Sequence, residues 1–491
     1  MSDPSRQTVS AALDRAAASY IDAEALVDGE VRLTYPALRA SVHEVARALV
    51  GMGVRPGDRV ALCAPNSADW VIAALGALRA GAALVPINTR FTATETLDVV
   101  HRSAARALIV AGEFLGRDRL AELRALSADL PEVLVRLPIT WSAPDVDLPE
   151  TSPDQLCDVM YTSGTTGRSK GAMSAHRQSL GVAAAWGACG ELTSADRYLI
   201  VNPFFHTFGY KAGILACLLT GATIVPQPVF DVVETMRLIE RERITVLPGP
   251  PTIFQTLLDH PERGSFDLSS LRLAVTGAAV VPVALIERMR SELSLTVLTA
   301  YGLTEAVVAT MCRPGDSPET VAHTCGAPMA GFELRLGEQD EVLLRGPNVM
   351  LGYLDDPEAT AAAVDADGWL HTGDVGKIDE RGYLSITDRL KDMYICGGFN
   401  VYPAEIEQVL ARLPGVAESA VVGLADARLG EVGVAHVVTS AGFELTEAQV
   451  IEFCRERLAN YKVPRVVEFV PALPRNAMGK VLKTQLRKEN A

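Results

Sequence analysis

The sequence lacks the features that would place it in a disulfide scaffold, at a zinc site or on a nucleic acid. Its eight cysteines are scattered over 491 residues, with no C-x-x-C pair and no zinc-ligand spacing. Reduced thiols in a reducing compartment are therefore expected. The net charge of −15 argues against nucleic acid or an anionic membrane as the main partner.

Targeting and membrane-spanning segments are also missing. Residues 1–29 carry charges throughout and have no apolar core, unlike a signal peptide. The longest uncharged run, Ala212–Phe230, is interrupted by Gly221, Pro226 and Pro228. It predicts a helix, a turn and a strand, and no membrane span. We expect a cytoplasmic enzyme without stable membrane insertion.

Short β-like runs alternate with helical ones from about residue 30 onward. The run RVALCAPN, for example, precedes the helical pattern SADWVIAALGALRAG, and ALVPIN follows it. Such alternation predicts a mostly parallel sheet covered by helices on both faces. The predicted fold class is therefore α/β, with a large N-terminal domain.

The pattern changes twice towards the C-terminus. After about residue 331, short strands joined by turns predict a small β subdomain. Near residue 390 a second change follows DRLKDMYICGGFNVYP, and the rest reads helix, strand, strand, helix, strand. The sequence thus predicts an N-terminal domain over 1–390 and a small α+β domain over 391–491.

The strongest motif is a loop of glycine and hydroxyl residues, YTSGTTGRSKG over 161–171. Glycine permits tight turns, hydroxyl and backbone groups donate hydrogen bonds, and Lys170 adds a positive charge, which together suit a polyphosphate. The Walker A pattern cannot be fitted to it. The alternative is a flexible Ser/Thr/Gly turn, but eight of the eleven residues are small or hydroxylic. The candidate phosphate-binding residues are Thr162, Ser163, Gly164, Thr165, Thr166, Gly167 and Lys170.

Three further motifs are ambiguous when each is taken alone. In YGLTE, Thr304 and Glu305 offer the hard oxygen ligands that Mg²⁺ prefers, although an ordinary turn would look the same. Asp374 in HTGD could accept hydrogen bonds from a ribose diol, to which Arg389 could donate. Lys480 in PRNAMGK would by itself be a solvated surface lysine.

Together and in this order, the motifs resemble those of the adenylate-forming superfamily, which includes acyl- and aryl-CoA synthetases, peptide-synthetase adenylation domains and beetle luciferase. The resemblance extends from LTYPALRA at 33–40 to GKVLKTQLR at 479–487. Within the superfamily, three runs look closest to actinobacterial ligases of fatty-acid and steroid degradation: FFHTFGYKAGILACLLTGAT, ITVLPGPPTIFQTLLDHP and DRLKDMYICGGFNVYPAEIEQVLARL. One of these ligases activates the bicyclic propionate that remains after steroid rings A and B are removed. The resemblance implies a mobile C-terminal lid domain and an AMP-forming acid–CoA ligase that uses ATP, Mg²⁺ and CoA.

The same resemblance implies the nucleotide-binding residues. The loop 162–170 would hold the β- and γ-phosphates of ATP, and Glu305 would carry Mg²⁺ with Thr304 beside it. The other expected nucleotide contacts are Tyr301 on the adenine, with Gly277, Ala278 and Ala279 near it, Gly302 next to Tyr301 in sequence, and Asp374 and Arg389 on the ribose.

The resemblance also implies the catalytic residues of both half-reactions. Lys480 would reach the carboxylate and the α-phosphate, where a fixed cation stabilises developing charge. Lys391 would be the hinge at which the lid rotates after adenylation. Gly397 and Gly398 would then flank the path of the CoA pantetheine arm. His206 matches the family's gate beside the carboxylate, and a core histidine is the alternative.

Two departures from the family pattern stand beside these assignments. Met478 replaces the usual Thr or Ala before Gly-Lys, which puts lid docking in doubt, and Ile395 occupies the place of a second lysine that some relatives use.

Lys211 is the odd residue in the apolar segment FFHTFGYKAG. We expect it either to hydrogen-bond a polar group at the far end of the acid or to be a surface lysine.

Free CoA is the expected acyl acceptor. The segment FFHTFGYKAG lacks the Asp that amino-acid adenylation domains use, and the chain ends eleven residues after Lys480, which leaves no room for a fused carrier domain. Three alternatives stay open: ATP-dependent diazotisation of an aryl amine with nitrite, luciferase-like oxidation, and a non-catalytic AMP-binding protein. The expected partners are a small carboxylic acid, ATP and CoA, with no nucleic acid, and a homodimer is left open.

Overall fold

The computed structural model describes residues 6–127, 129–162, 169–277, 281–396, 399–426, 428–475 and 481–489. The chain divides into two compact units. The first contains the chain up to Leu334, Leu344–Leu370 and Glu380–Leu384. The second contains Arg335–Leu343, His371–Asp379 and the chain from Ser385 onward.

The secondary structure alternates between strands and helices over most of the chain. The strands are β1 (Glu24–Asp28), β2 (Val31–Thr34), β3 (Arg59–Cys63), β4 (Ala83–Pro86), β5 (Ala107–Ala111), β6 (Glu113–Phe114), β7 (Arg117–Asp118), β8 (Val133–Leu137), β9 (Leu156–Tyr161), β10 (Gly171–Ala175), β11 (Arg197–Ile200), β12 (Thr223–Pro226), β13 (Val246–Pro248), β14 (Leu273–Gly277), β15 (Thr296–Tyr301), β16 (Thr310–Met311), β17 (Ala327–Pro328), β18 (Glu333–Leu336), β19 (Glu341–Arg345), β20 (Gly352–Tyr353), β21 (Leu370–Ile378), β22 (Leu384–Arg389), β23 (Tyr394–Cys396), β24 (Phe399–Val401), β25 (Val416–Asp426), β26 (Gly430–Thr439) and β27 (Val466–Phe469). The α-helices are α1 (Val9–Ser19), α2 (Tyr35–Gly51), α3 (Ala68–Arg79), α4 (Ala93–Arg102), α5 (Arg119–Leu126), α6 (His176–Cys189), α7 (Ala216–Thr220), α8 (Val232–Glu242), α9 (Pro251–Asp259), α10 (Val283–Leu293), α11 (Pro318–His323), α12 (Pro357–Ala363), α13 (Pro403–Leu410), α14 (Glu447–Arg455) and α15 (Lys483–Glu489), and a π-helix spans Phe208–Leu215.

The first unit contains two large sheets with parallel centres. The nine-stranded sheet has the order β17-β16-β15-β14-β13-β11-β12-β1-β2, and its strands run parallel from β15 to β1. The seven-stranded sheet has the order β20-β10-β9-β4-β3-β5-β8 and is parallel from β9 to β8. The predicted α/β fold with parallel-rich sheets is confirmed.

One helix connects the two sheets. α3 packs against β3 and β4 of the seven-stranded sheet and against β1 of the nine-stranded sheet. Nine of its residues are buried, including Trp70. A helix covered on opposite sides has to be apolar all round, which explains the almost uncharged sequence ADWVIAALGALR.

The uncharged run Ala212–Phe230 forms a helix, a turn and a strand, as predicted. The π-helix continues into α7, which ends at Thr220, and β12 follows after Gly221. Gly221 has a φ of +83°, and a Cβ there would lie 2.6 Å from the ring of Tyr20. Glycine is therefore required at this helix end. None of the helices in the described ranges is long and apolar enough to cross a lipid bilayer.

Beyond the two large sheets, β18, β19, β21 and β22 form a four-stranded sheet in that order. In the second unit, β24, β23, β26 and β25 form a further sheet, to which β27 adds in parallel beside β26. The predicted order helix, strand, strand, helix, strand corresponds to α13, β25, β26, α14 and β27. The small α+β C-terminal domain is confirmed.

All eight cysteines are thiols, as the scattered spacing predicts. Six are buried, and Cys189 and Cys325 are half-buried. Burial raises the thiol pKa of Cys63 and of Cys454 to about 11. It also raises the pKa of Cys157 and of Cys217. These side chains are therefore protonated at neutral pH and pack as small apolar groups.

Candidate functional site

Gly277 and Tyr301, two of the predicted adenine residues, end neighbouring strands at one edge of the nine-stranded sheet. β11, β14 and β15 all point the same way, and Gly277 at the end of β14 pairs with Ala300 near the end of β15. The carboxyl ends of these strands therefore lie at the same edge of the sheet. Ligands in open α/β sheets bind at the carboxyl ends of parallel strands, so this edge is the candidate site.

Two glycines allow backbone segments to approach each other at that edge. A Cβ on Gly277 would lie 2.6 Å from the Ala300 carbonyl oxygen, and one on Gly302 would lie 1.9 Å from the Val307 carbonyl oxygen. Real Cβ atoms do not approach oxygen so closely, so no larger residue fits without a backbone shift. The turn after β15 folds back over Gly302 as a result, and the Ala309 N–H donates to the Tyr301 carbonyl at 2.9 Å. Ala278 and Ala279 lie outside the described residues.

The two ends of the predicted phosphate loop meet across a hairpin. β9 and β10 are antiparallel, with Tyr161 opposite Gly171. The Thr162 N–H donates to the Lys170 carbonyl at 2.8 Å, and the Lys170 N–H donates to Thr162 Oγ1 at 3.4 Å. The predicted residues Ser163, Gly164, Thr165, Thr166 and Gly167 lie outside the described ranges.

Tyr353 connects the lysine of this hairpin with the predicted metal ligand. Its hydroxyl donates to Glu305 Oε1 at 2.6 Å, and Lys170 Nζ lies 5.1 Å from the centre of its ring. Burial and the Glu305 carboxylate raise the pKa of Tyr353, so the hydroxyl stays protonated as a donor. Sequence reasoning missed Tyr353, because a single tyrosine in a two-residue strand carries no recognisable pattern.

The arrangement around Glu305 suits Mg²⁺ bound together with a polyphosphate. Within the described part of the chain no group of three or more His, Cys, Asp or Glu side chains could hold a metal ion by itself. Mg²⁺ in nucleotide sites usually takes one or two carboxylates, with waters and phosphate oxygens completing its shell. Glu305, with the hydroxyl residue Thr304 next to it in sequence, fits that requirement.

His206 follows β11 and is neutral. Its Nδ1 accepts a hydrogen bond from the Phe208 N–H at 3.2 Å, and burial lowers its pKa to about 4. Because Nδ1 is the acceptor, Nε2 carries the proton of the neutral ring. Its carbonyl accepts from the Tyr210 N–H at 3.0 Å, beside the π-helix. His206 can thus donate from Nε2 to a carboxylate without bringing a net charge.

Lys211, on the π-helix, is not a surface residue. Only 1% of its side chain is exposed, and its Nζ lies 2.8 Å from Asp158 Oδ1 on β9, which is fully buried. The same ammonium donates to Ser174 Oγ at 2.9 Å. The surface alternative is therefore wrong. These two contacts hold the ammonium in the interior, and the hydrogen bond from Lys211 to a polar group of the acid stays a prediction.

In the second unit, the two predicted ribose residues are an ion pair. Arg389 Nε lies 2.9 Å from Asp374 Oδ1, whose side chain is 4% exposed. Arg389 lies at the end of β22 and Asp374 within β21. Adjacent Asp388 accepts from the Ala404 N–H at 2.9 Å, and burial raises its pKa to about 6.

Lys391, the predicted hinge, lies at the start of the C-terminal region. Burial and then the charge of Arg389 lower the pKa of Lys391. Gly397, Gly398 and Lys480 lie outside the described residues, and the roles assigned to all the candidate site residues stay predictions.

The comparisons with known proteins agree with this reading. The AMP-binding enzyme family model matches residues 13–354, and the model of the AMP-binding enzyme C-terminal domain matches residues 405–480. The chain belongs to the AMP-binding enzyme family. It is an ATP-dependent acid–CoA ligase, which uses Mg²⁺ and CoA to convert a hydrophobic carboxylic acid into its acyl-CoA.

Two relatives are similar over nearly their whole length. Both are named 3-[(3aS,4S,7aS)-7a-methyl-1,5-dioxo-octahydro-1H-inden-4-yl]propanoyl:CoA ligase. The protein from Rhodococcus jostii is 60% identical and the one from Mycobacterium tuberculosis 59%, each with 98% of both chains covered. Among solved structures, ATP-bound MatB from Rhodopseudomonas palustris has a TM-score of 0.89 at 31% identity, with 98% of this chain and 99% of MatB covered. These relatives do not favour the diazotisation alternative.

Proposed function

We propose that the acid is the bicyclic propanoate of steroid degradation, 3-(7a-methyl-1,5-dioxo-octahydroinden-4-yl)propanoate. The observation that carries the proposal is the 60% and 59% identity to two ligases named for this acyl group, over 98% of each chain.

In the first half-reaction, we assign ATP binding to the edge described above. A carboxylate oxygen of the acid attacks the α-phosphorus, the bond to the bridging oxygen of the β-phosphate breaks, and pyrophosphate leaves. Lys170 supports the polyphosphate, and Glu305 holds Mg²⁺, which neutralises phosphate charge when bound. Lys480 would place a cation beside the reacting oxygen and the α-phosphate, and neutral His206 would donate from Nε2 to the carboxylate.

The assignments for the nucleoside follow the family resemblance of the motifs. Tyr301 and Gly302, with Gly277, Ala278 and Ala279, are assigned to the adenine. Asp374 is assigned to the ribose hydroxyls as an acceptor, with Arg389 fixing its orientation through the ion pair at 2.9 Å.

In the second half-reaction, the CoA sulfur attacks the acyl carbon of the adenylate, the bond from that carbon to the phosphate oxygen breaks, and AMP leaves. The thiol proton passes to solvent, since a thiol with a pKa near 8.5 needs no dedicated base. Rotation at Lys391, at the proposed boundary between 1–390 and 391–491, would exchange Lys480 for the Gly397–Gly398 segment.

The test is product analysis with a panel of acids. The purified protein, Mg²⁺-ATP and CoA are supplied with the bicyclic dioxo acid, with its analogues lacking one or both ketones, and with palmitate and ferulate. We expect AMP, pyrophosphate and acyl-CoA in equal amounts, and the highest kcat/KM for the dioxo acid. A kcat/KM for palmitate or ferulate equal to or above that value would refute the choice of acid.

Two further assignments belong to the same proposal. A cytoplasmic location is supported by eight reduced cysteines, and fractionation of the producing cell tests it. The homodimer, which the sequence leaves open, is tested by light scattering on the purified protein: a mass near 105 kDa, twice the chain mass of 52.4 kDa, would support it, and the mass of a single chain would exclude it.

A further inference from the structure

Tyr353 is held firmly at the edge of the seven-stranded sheet. β20 pairs antiparallel with β10, with Tyr353 opposite Ala172. The neighbouring Leu354 N–H donates to the Gly171 carbonyl at 2.8 Å, and the Tyr353 N–H donates to Thr360 Oγ1 at 2.9 Å. The backbone of Tyr353 is thus fixed to the strand that follows the phosphate loop.

The side chain of Tyr353 makes two different contacts. Its hydroxyl donates to one oxygen of Glu305 at 2.6 Å, the length of a charge-assisted hydrogen bond. The face of its ring lies 5.1 Å from Lys170 Nζ, within the range of a cation–π contact. One residue therefore touches both the carboxylate assigned to Mg²⁺ and the cation assigned to the polyphosphate.

The backbone of Glu305 is tied to the same segment. Its carbonyl accepts from the Met350 N–H at 2.8 Å, three residues before Tyr353. With the backbone held at Met350 and one carboxylate oxygen at Tyr353, rotation of the Glu305 side chain is restricted. The hydroxyl engages only one of the two carboxylate oxygens, which leaves the other to be presented to a cation.

We propose that Tyr353 is a positioning residue for Mg²⁺-ATP: its hydroxyl orients Glu305 towards the cation, and its ring orients Lys170 towards the phosphates. The inference rests on the proposed assignment of Glu305 and Lys170 to ATP, but it does not depend on which acid is activated. An oriented carboxylate binds a cation without first losing rotamer freedom.

Two substitutions separate the two contacts. Tyr353→Phe removes the hydroxyl and keeps the ring beside Lys170, whereas Tyr353→Leu removes both. Tyr383→Phe is the matched control, because the Tyr383 hydroxyl also donates to a carboxylate, Asp316, at 3.1 Å. That pair lies outside the residues assigned to ATP.

The experiment is calorimetric ATP binding at increasing Mg²⁺ concentrations and in EDTA, without acid or CoA. We expect Tyr353→Phe to weaken Mg²⁺-ATP binding roughly 10-fold, since hydrogen bonds to charged groups have about this effect. It should leave ATP binding in EDTA unchanged. Tyr353→Leu should also weaken binding in EDTA, by a few-fold, and Tyr383→Phe should match the wild type.

Several results would overturn the inference. Equal ATP affinities of Tyr353→Phe and Tyr353→Leu in EDTA would show that the ring does not orient Lys170. If Tyr353→Phe has a lower melting temperature but its ATP binding depends on Mg²⁺ as in the wild type, Tyr353 has only a structural role. If the wild type itself binds ATP equally well with and without Mg²⁺, the assignment of Glu305 fails instead, and the two failures are thereby distinguished.

Discussion

Lys211 on the π-helix and Asp158 on β9 form an ion pair in the interior of the first unit. Their charged atoms lie 2.8 Å apart, and the two side chains are 1% and 0% exposed. Ser174 accepts from the ammonium at 2.9 Å, and Ser179 donates to the carboxylate at 2.8 Å. Two charges removed from water are tolerated because each has the other and a hydroxyl as partners.

Replacing one member of this ion pair should destabilise the protein strongly. Lys211→Met or Asp158→Leu leaves one buried charge without its counter-ion, which typically costs about 3–5 kcal/mol. We expect either single variant to melt several degrees below the wild type. The double variant Lys211→Met/Asp158→Leu should recover most of the loss, because apolar replacements of buried pairs are often neutral.

The exposed pair Arg243–Asp267 is the control for this experiment. Its atoms are just as close, at 2.6 Å, but the side chains are 58% and 49% exposed. Arg243→Met should cost less than about 1 kcal/mol. Thermal unfolding of all four variants is the measurement, and additive losses in the double variant would show that Lys211 and Asp158 are not coupled.

The two half-reactions should respond to different lysines. Lys480→Ala removes a fixed cation from developing negative charge, which costs about 3–4 kcal/mol or roughly 10²–10³ in rate. Adenylation should fall by that factor, while thioester formation from supplied acyl-adenylate should be largely preserved. Single-turnover assays of each step provide the measurement.

Lys391→Pro should have the opposite effect. Proline fixes φ and would impede rotation at the hinge, so adenylation should persist and CoA transfer should fail. Lys391→Ala is the matched control, because it removes the same side chain and leaves the backbone free. Equal damage to both steps by Lys480→Ala and Lys391→Pro would contradict the domain-rotation mechanism.

His176 should make folding sensitive to mild acid. Its Nδ1 accepts from the Val9 N–H at 3.2 Å, and burial lowers its pKa to about 4. Between about pH 6.5 and 4 the unfolded chain binds a proton that the folded chain does not, so stability falls as the pH falls through this window. The full contribution is about 3 kcal/mol. In His176→Gln, the loss of stability from pH 7 to 4.5 should be smaller than in the wild type; an identical loss would exclude His176 as a cause.

Gly302→Ala should damage the nucleotide site. The added Cβ would lie 1.9 Å from the Val307 carbonyl oxygen, so the turn carrying Glu305 has to move. We expect calorimetry to show at least a 10-fold loss of ATP affinity, because such overpacking typically costs about 1–3 kcal/mol. At Gly264 a Cβ meets no heavy atom within 4 Å, and Gly264→Ala should bind ATP normally.

Most of the fold could be predicted because its signals are local. The helix, turn and strand around Gly221 follow from neighbouring residues, and so does the order of α13, β25, β26, α14 and β27. Details of helix geometry could not be predicted from the sequence. Pro282, for example, is the N-cap of α10, although proline is favoured one position later, at the first residue inside a helix. The π-helix has no sequence signature that separates it from an α-helix.

The site could be predicted only where its residues form motifs. Thr162, Lys170 and Glu305 belong to recognisable sequence motifs. In the described part of the structure, the side chains of Lys170 and Glu305 both contact Tyr353. The partner of Lys211 lies 53 residues upstream of it in a strand that reads as apolar. No periodicity connects two such positions, so the ion pair emerges only from the packed structure.

The buried thiols have a chemical consequence for an enzyme that makes an acyl-adenylate. This intermediate is a mixed anhydride, and any accessible thiolate would take its acyl group. Because burial keeps Cys63, Cys157, Cys217 and Cys454 protonated, these side chains are poor nucleophiles. The protein is thereby protected against acylating itself at these positions. These cysteines do not compete with the CoA thiol for the acyl group.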